Sequence, residues 1–147
     1  MRHFVAAALI AVAAVFSSLP AHADQDTDVF NRIEELHGNA QAFEEAFYRL
    51  TQALNNDDAA ELAGISNFPL RVQANGESYD VLEAQDLIDN YGSLIMQETK
   101  DAVANQRYGD LFVNSEGVMV GNAVWLSAVC DNNSCSRSHW AVIAINN

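Results

Sequence analysis

The chain has 147 residues, with 20 Asp or Glu against 7 Lys or Arg, so its formal net charge is −13 at pH 7. A phosphate-binding surface needs clustered Lys and Arg, whereas the basic residues here are few and scattered. This composition excludes nucleic acid as a partner and disfavours an anionic membrane surface, while the acidic charge suits solubility and attracts cationic partners.

The first 23 residues have the pattern of a cleavable signal peptide. Arg2 begins a short polar segment, an apolar run extends from Phe4 to Phe16, and Ala21-His22-Ala23 forms an A-x-A cleavage site. The apolar run is shorter than the roughly 20 residues of a membrane-spanning helix, and an uncleaved interfacial helix is the alternative interpretation. We therefore expect a periplasmic or secreted protein without a membrane span, whose mature form is a single domain of residues 24–147.

The first apolar pattern of the mature chain predicts one long helix. Its apolar residues are separated alternately by four and three positions, which places them on one side of a helix. Gly38 lies inside the pattern and costs about 1 kcal/mol in a helix, so a kink there is the alternative to a straight helix. The pattern comprises Val29, Ile33, Leu36, Ala40, Phe43, Phe47, Leu50 and Leu54.

Shorter elements follow. Asp58 and Glu61 have the spacing of a capping box for a short helix that ends at Gly64. Pro69 places the next segment in an edge strand or at the start of a strand. The letters NGES at residues 75–78 indicate a turn that leads into the strand YDVL.

The last third of the chain changes from helical to strand patterns. Helical spacing runs from Glu83 to Val103, with a break at Gly92. A short strand at 110–114 and two long β-rich runs, at 117–130 and 136–146, then predict a C-terminal meander. Helices followed by a meander indicate an α+β fold, with helices packed on one face of an antiparallel sheet.

The stretch WLSAVCDNNSCSRSHW predicts a hairpin closed by a disulfide. Residues 131–134 are good turn formers, and pairing Cys130 with Cys135 around them also places Trp125 opposite Trp140. A secreted chain with two cysteines is expected to join them. The spacing is not the redox C-x-x-C, and a zinc site would need two further ligands.

The same hairpin register sorts the two faces of the last strands. Asn122, Leu126 and His139 fall on a largely aliphatic face, and the face with the two tryptophans is small and aromatic. One face should meet the helices, while the other forms a homodimer interface or lines a pocket. We take Asn122, Leu126 and His139, together with Tyr48 and Tyr91, as candidate pocket residues.

The pattern resembles the nuclear-transport-factor-2-like superfamily, which includes the ketosteroid isomerases, across nearly the whole mature chain. The resemblance rests on the long first helix, Phe68-Pro69-Leu70, the helical middle, and DLFVNSEGVMVGNAVWLS running into WAVIAIN. It is closest to small exported bacterial members of unassigned function. The resemblance implies a cone-shaped, curved sheet wrapped round helices with a cavity at its open end. Members include isomerases, dehydratases, ligand binders and protein-interaction modules, so the resemblance does not specify an activity.

No assembled catalytic or metal-binding set is evident. The carboxylate and tyrosine of an isomerase site cannot be matched residue by residue, although Tyr108 and Asp110 are of the right chemical types. Asp24, Asp26 and Asp28 match part of a calcium loop, but Val29 stands where such a loop needs glycine. We expect no catalytic residue, no metal and no cofactor.

The expected function is therefore non-catalytic binding of a small apolar ligand or a partner protein. A cavity enzyme of the isomerase or dehydratase type is one alternative. An acidic inhibitor or immunity protein against a cationic hydrolase or toxin is the other, since the chain is acidic and carries an export signal.

Overall fold

The computed structural model describes residues 22–147. The predicted leader lies outside the described residues, apart from His22 and Ala23, which begin the first helix. The helices are α1 (His22–His37), α2 (Ala40–Asn55), α3 (Ala59–Gly64), α4 (Ala84–Asp89), α5 (Tyr91–Leu94) and α6 (Gln97–Ala104), with a 3₁₀ turn at Tyr108–Asp110. The strands are β1 (Ser66–Ala74), β2 (Glu77–Val81), β3 (Phe112–Asn114), β4 (Gly117–Val120), β5 (Val124–Cys130) and β6 (Ser138–Asn146). These elements confirm the predicted α+β class.

The first helical pattern is not one straight helix: it breaks between α1 and α2, at the Gly38 position where the sequence left a kink as the alternative. Gly38 and Asn39 both have left-handed backbones, with φ of 70° and 51°, and glycine is the usual residue after a helix end for this reason. The Glu34 carboxylate accepts a hydrogen bond of 2.8 Å from the Ala40 amide across the break. The break redirects the apolar pattern, so that Leu36 is 40% exposed while Phe43 is fully buried.

The six strands form one sheet in the order β2-β1-β6-β5-β4-β3. The predicted C-terminal meander is confirmed, since β3 to β6 pair antiparallel in sequence order. The expectation of a wholly antiparallel sheet is wrong, because β1 runs parallel to β6. Pro69 therefore lies in an interior strand, at a register irregularity between Ser66 and Arg71, where its missing N–H does not interrupt a regular ladder.

The predicted long strand at 117–130 is divided by a tight turn. Gly121 and Asn122 have φ of 60° and 53°, and the chain reverses there between β4 and β5. The Gly121 amide donates a hydrogen bond of 2.9 Å to the Gln106 side chain, which holds the turn against the segment after α6. Asn122 is consequently an exposed turn residue and not a strand residue.

The disulfide between Cys130 and Cys135 is confirmed, with a Cα–Cα distance of 4.8 Å. The predicted cross-strand pair of Trp125 and Trp140 is wrong. Trp125 lies opposite Ala144 and Trp140 opposite Ala128, with a register shift between them. Because side chains alternate along β5, the two indoles project from opposite faces of the sheet.

The register differs because the hairpin loop is longer than four residues. Cys130 pairs with Ser138, and the Asp131 amide donates to the Arg137 carbonyl at 2.8 Å. The disulfide therefore closes a turn inside the loop and does not join opposed strand positions. Cys135, with φ of 53°, lies in that inner turn, and its amide donates to the Asn132 carbonyl at 3.0 Å.

The core is a cluster of buried side chains from helices and strands, and we call the sheet face that contributes Trp140 to it the buried face. Buried side chains from α1 to β6 belong to one continuous cluster. At its centre the Phe43 ring of α2 lies 4.9 Å from the Trp140 ring of β6, and Tyr108 lies 6.2 Å from Phe43. Aromatic rings therefore fill the space between α2 and the sheet. Among the described helices, none is both long and apolar enough to cross a membrane.

Candidate functional site

The two outer strands of the sheet differ in how their free edges are covered. On β3, the Arg32 side chain donates to the Val113 carbonyl at 3.1 Å, and His37 Nε2 lies 2.7 Å from the Asn114 carbonyl oxygen. Both side chains come from α1, which packs along this strand. The helix thus satisfies backbone groups that an edge strand otherwise leaves unpaired.

At the opposite edge, β2 has no further strand beside it within residues 22–147. A two-residue turn, Asn75-Gly76, joins it to β1, and both residues have positive φ, 55° and 77°, as a type I′ turn requires. Tyr79 lies opposite Val72, and the two-residue turn makes this a pair whose N–H and C=O groups hydrogen-bond to each other. Since such pairs alternate in an antiparallel ladder, the N–H and C=O groups of Ser78 and Asp80 point away from β1.

A groove with a volume of about 370 Å³ borders this open edge. We call it the edge groove. It lies between β2 and the segment that contains α4 and α5, and the Asn75 side chain donates to the Ser93 carbonyl at 3.3 Å across it. Apolar and acidic side chains share its walls. The lining residues are Asn75, Tyr79, Asp80, Val81, Leu82, Asp86, Asn90, Ser93 and Leu94.

A second, shallow groove of about 510 Å³ borders the same edge on the exposed face of the sheet. Its walls include Pro69, Ile143 and Ala144, and it shares Asp80 and Leu82 with the edge groove. Leu82 follows the end of β2 and is 67% exposed. The free backbone of β2 is therefore flanked by recesses on both faces, with an unburied apolar side chain between them.

The electrostatic character of this edge is acidic. Asp80 and Asp86 line the edge groove, and the Asp80 carboxylate lies 3.3 Å from Arg71, which is the one basic residue in the two linings. The Tyr79 hydroxyl donates to Glu77 at 3.0 Å, and this hydrogen bond raises the pKa of Tyr79. Negative charge at such a site attracts cationic groups over a distance of about 10 Å at moderate salt.

None of the five pocket residues proposed from sequence lines either groove. Asn122 is exposed in the β4–β5 turn and Leu126 is fully buried. His139 is exposed beside Asp131, with 2.5 Å between Nδ1 and the carboxylate, and Tyr48 is 64% exposed on α2. The assignment of Asn122, Leu126 and His139 to one face depended on the hairpin register that the structure corrects.

Tyr91, the fifth of these residues, is buried in α5. Its hydroxyl is buried without a hydrogen-bond partner among the described residues, and Lys100 Nζ lies 5.0 Å from the centre of its ring. Burial, helped by the nearby Asp57 charge, raises the pKa of Tyr91 to about 12. A hydroxyl with so high a pKa is a poor proton donor near neutral pH.

Tyr108 is similar, since its hydroxyl is also buried without a partner in the described part of the chain. Burial and the charges of Glu44 and Asp26 raise its pKa. Asp110, which is also of the right chemical type for an isomerase site, lies on the surface 3.6 Å from Arg107. Within residues 22–147, no three His, Cys, Asp or Glu side chains lie close enough to hold a metal ion.

The exposed face of the sheet carries one continuous apolar row. Phe112, Met119, Trp125 and Ala144 are register partners on four successive strands, and the Phe112 and Trp125 rings meet edge to face at 6.2 Å. Phe112 is 52% exposed. This row is where a homodimer through a sheet face would form, and that interface stays a prediction.

Sequence reasoning missed the edge groove although part of its signal was present. The NGES turn and the following strand were both predicted, but the strand's place at the edge follows only from the pairing of β1 with β6. Comparison with known proteins adds no assignment, because no family model, curated protein or solved structure matches the chain.

Proposed function

We propose that the chain is an exported, non-catalytic binding domain that holds a cationic segment of a partner protein at the edge groove. The observation that carries the proposal is the difference between the two sheet edges. Side chains of α1 hydrogen-bond to the backbone of β3, whereas β2 contacts α4, ends the sheet and is recessed on both faces beside Asp80 and Asp86. Open strand edges are used for protein recognition when they are not shielded.

A partner protein fits this site better than a small apolar ligand. The apolar space between α2 and the sheet is occupied by the rings of Phe43, Tyr108 and Trp140. The edge groove is open to solvent along a strand and mixes apolar with charged walls. Small-molecule sites are instead mostly enclosed and apolar, with a few placed polar groups.

We also propose that the protein is exported and that its fold is the cone-shaped one. The signal-peptide pattern of residues 1–23 and the disulfide between Cys130 and Cys135 support a periplasmic or secreted location, where disulfides persist. Membership of the nuclear-transport-factor-2-like superfamily, with helices inside a curved sheet, is supported by the helices and the C-terminal meander. That superfamily includes protein-interaction modules, which agrees with a binding role.

A more specific form of this function is inhibition of, or immunity to, a cationic hydrolase or toxin. The formal net charge of −13 favours it, because acidic surfaces steer and bind basic proteins. An inhibitor would also suppress the partner's activity at stoichiometric concentration, whereas a carrier or adaptor would leave that activity unchanged. Assay of the captured partner with and without the chain separates the two roles.

The proposed function is tested by site-specific photo-crosslinking. Leu82→p-benzoylphenylalanine places the cross-linker at the edge groove, and Tyr48→p-benzoylphenylalanine places it at a comparably exposed position on α2. Each mature variant is irradiated in extracellular or periplasmic extract of the source organism, at low and at high salt. We expect one basic protein to be cross-linked through position 82, at low salt only, and not through position 48. Equal yields at the two positions, or none at position 82, would refute the proposal.

A further inference from the structure

We propose that the partner's segment binds as an additional β-strand against β2, with Lys or Arg side chains alternating with apolar ones. This inference rests on the proposed function and specifies its binding mode. A strand added here would be the seventh of the sheet, since β2 ends the present order of six.

The backbone of β2 supplies the pairing groups. Ser78 and Asp80 direct their N–H and C=O groups away from β1, as the register of the hairpin requires. The N–H and C=O groups of these two residues recur every second residue, which is also the spacing of the backbone hydrogen-bonding groups on one edge of an extended peptide. The strand contains no Pro, Lys or bulge within Glu77–Val81, and these are devices by which proteins usually block an edge.

The two grooves would receive the alternating side chains of the added strand. Every second side chain of the added strand would lie beside Tyr79 and Val81, over the edge groove and towards Asp86 and Leu94. The side chains between them would lie on the exposed face of the sheet, next to Leu82 and the shallow groove.

The edge groove offers Leu94 with the Asp86 carboxylate, and the exposed face offers Leu82 with Asp80, whose carboxylate Arg71 already contacts at 3.3 Å. A segment with basic side chains towards the edge groove and apolar ones on the exposed face therefore matches best.

The same carboxylates argue against a second copy of this chain as the occupant. An antiparallel pair of β2 strands centred on Tyr79 would place the Asp80 carboxylates of the two copies diagonally across the ladder, where like charges repel. The whole chains would also repel, since each carries −13. A cationic segment removes both penalties, and we therefore assign the edge to a different, basic polypeptide.

The test uses a synthetic probe with the full mature chain, residues 24–147. The probe is an acetylated and amidated seven-residue peptide of alternating Lys and Val, and the control peptide has Glu in place of each Lys. We expect the Lys peptide to bind at least tenfold more tightly at low salt, measured by isothermal titration calorimetry. Equal affinity of the two peptides would refute the assignment of a cationic segment.

Hydrogen exchange followed by NMR tests the strand pairing directly. The amides of Tyr79 and Val81 already donate to β1, so we expect them to be protected in the free protein. Saturation with the Lys peptide should slow exchange of the Ser78 and Asp80 amides at least tenfold. If the peptide binds and these two amides still exchange at the free rate, strand addition is wrong, although a partner site at the groove can stand.

A proline variant provides the matched mutational test. Ser78→Pro removes one outward N–H without removing a hydrogen bond to β1, and Ser78→Ala retains that N–H. We expect a loss of at least tenfold in peptide affinity for the proline variant and less than twofold for the alanine variant. Circular dichroism verifies that both remain folded. Should the proline variant unfold, alternately N-methylated Lys peptides replace it, and undiminished binding of both methylated registers would refute the pairing.

Discussion

Truncation of Phe43 should be among the most damaging single changes in the described chain. The side chain is fully buried on α2. Its ring lies 4.9 Å from the centre of Trp140, and 6.2 Å from the centres of both Phe47 and Tyr108. Phe43→Ala therefore removes the ring that joins the α2 surface to the buried face of the sheet.

The magnitude follows from burial and from these ring contacts. Replacing a core Phe by Ala costs about 3–5 kcal/mol, through lost transfer free energy and the cavity left behind. This range already includes lost ring contacts, each worth about 0.5–1.5 kcal/mol, and the loss of three of them here places Phe43→Ala in its upper half. We therefore expect a decrease near 4–5 kcal/mol in the free energy of unfolding, which is a large part of the 5–15 kcal/mol typical of a domain.

Urea unfolding followed by circular dichroism at 222 nm measures this loss, and Phe112→Ala is the matched control. Phe112 undergoes the same chemical change, but it is 52% exposed on the other face of the sheet, and within residues 22–147 its ring contacts that of Trp125 alone. We expect the control to lose about 1 kcal/mol, mostly the ring contact. If the two variants lose similar stability, then the buried face has been assigned incorrectly.

Three other changes have expected outcomes. Tyr91→Phe should change the stability at neutral pH by less than about 1 kcal/mol, since the hydroxyl that it removes is buried but interacts with Asp57. It should also reduce the loss of stability that the protein shows as the pH rises from 10 to 12. In that range the unfolded chain releases the Tyr91 proton, whereas the folded chain, with its raised pKa, retains it. An unchanged pH profile of stability would contradict this. Cys130→Ser with Cys135→Ser should cost about 2 kcal/mol by the loop-entropy estimate and leave one cooperative thermal transition, so complete unfolding at room temperature would be inconsistent. Gly117→Ala should cost more than about 2 kcal/mol in urea unfolding, because φ is 151° and the new Cβ would lie 2.1 Å from the Leu126 carbonyl oxygen; a wild-type midpoint would exclude that close approach.

Much of the fold could be predicted from local patterns. Apolar spacing identified the helical segments, and the capping position of Asp58 was predicted correctly, since its carboxylate accepts from the Glu61 amide at 2.9 Å. The turn at Asn75-Gly76 and the disulfide between Cys130 and Cys135 also followed from sequence. These features depend on residues close together in the chain, whose conformational preferences act without help from the rest of the fold.

The candidate site could not be predicted in this way. Sequence symmetry placed Trp125 opposite Trp140, but the hairpin loop closes between Asp131 and Arg137 and shifts the whole ladder. A shift of three positions moves one indole to the other face, because side chains alternate along a strand. The pocket residues derived from that register were consequently dispersed.

The sequence by itself determined the acidic charge, the α+β class, the tight turns and the disulfide, because composition and short-range preference are sufficient for each. The sequence left a kink at Gly38 open, whereas only the tertiary structure decided that β1 runs beside β6 and that β2 ends the sheet. Those outcomes depend on which distant segments pack together. For example, Arg32 and His37 of α1 form hydrogen bonds with backbone carbonyl groups of β3. Local patterns do not specify contacts between residues about 80 positions apart, so the edge groove becomes visible only once the sheet is assembled.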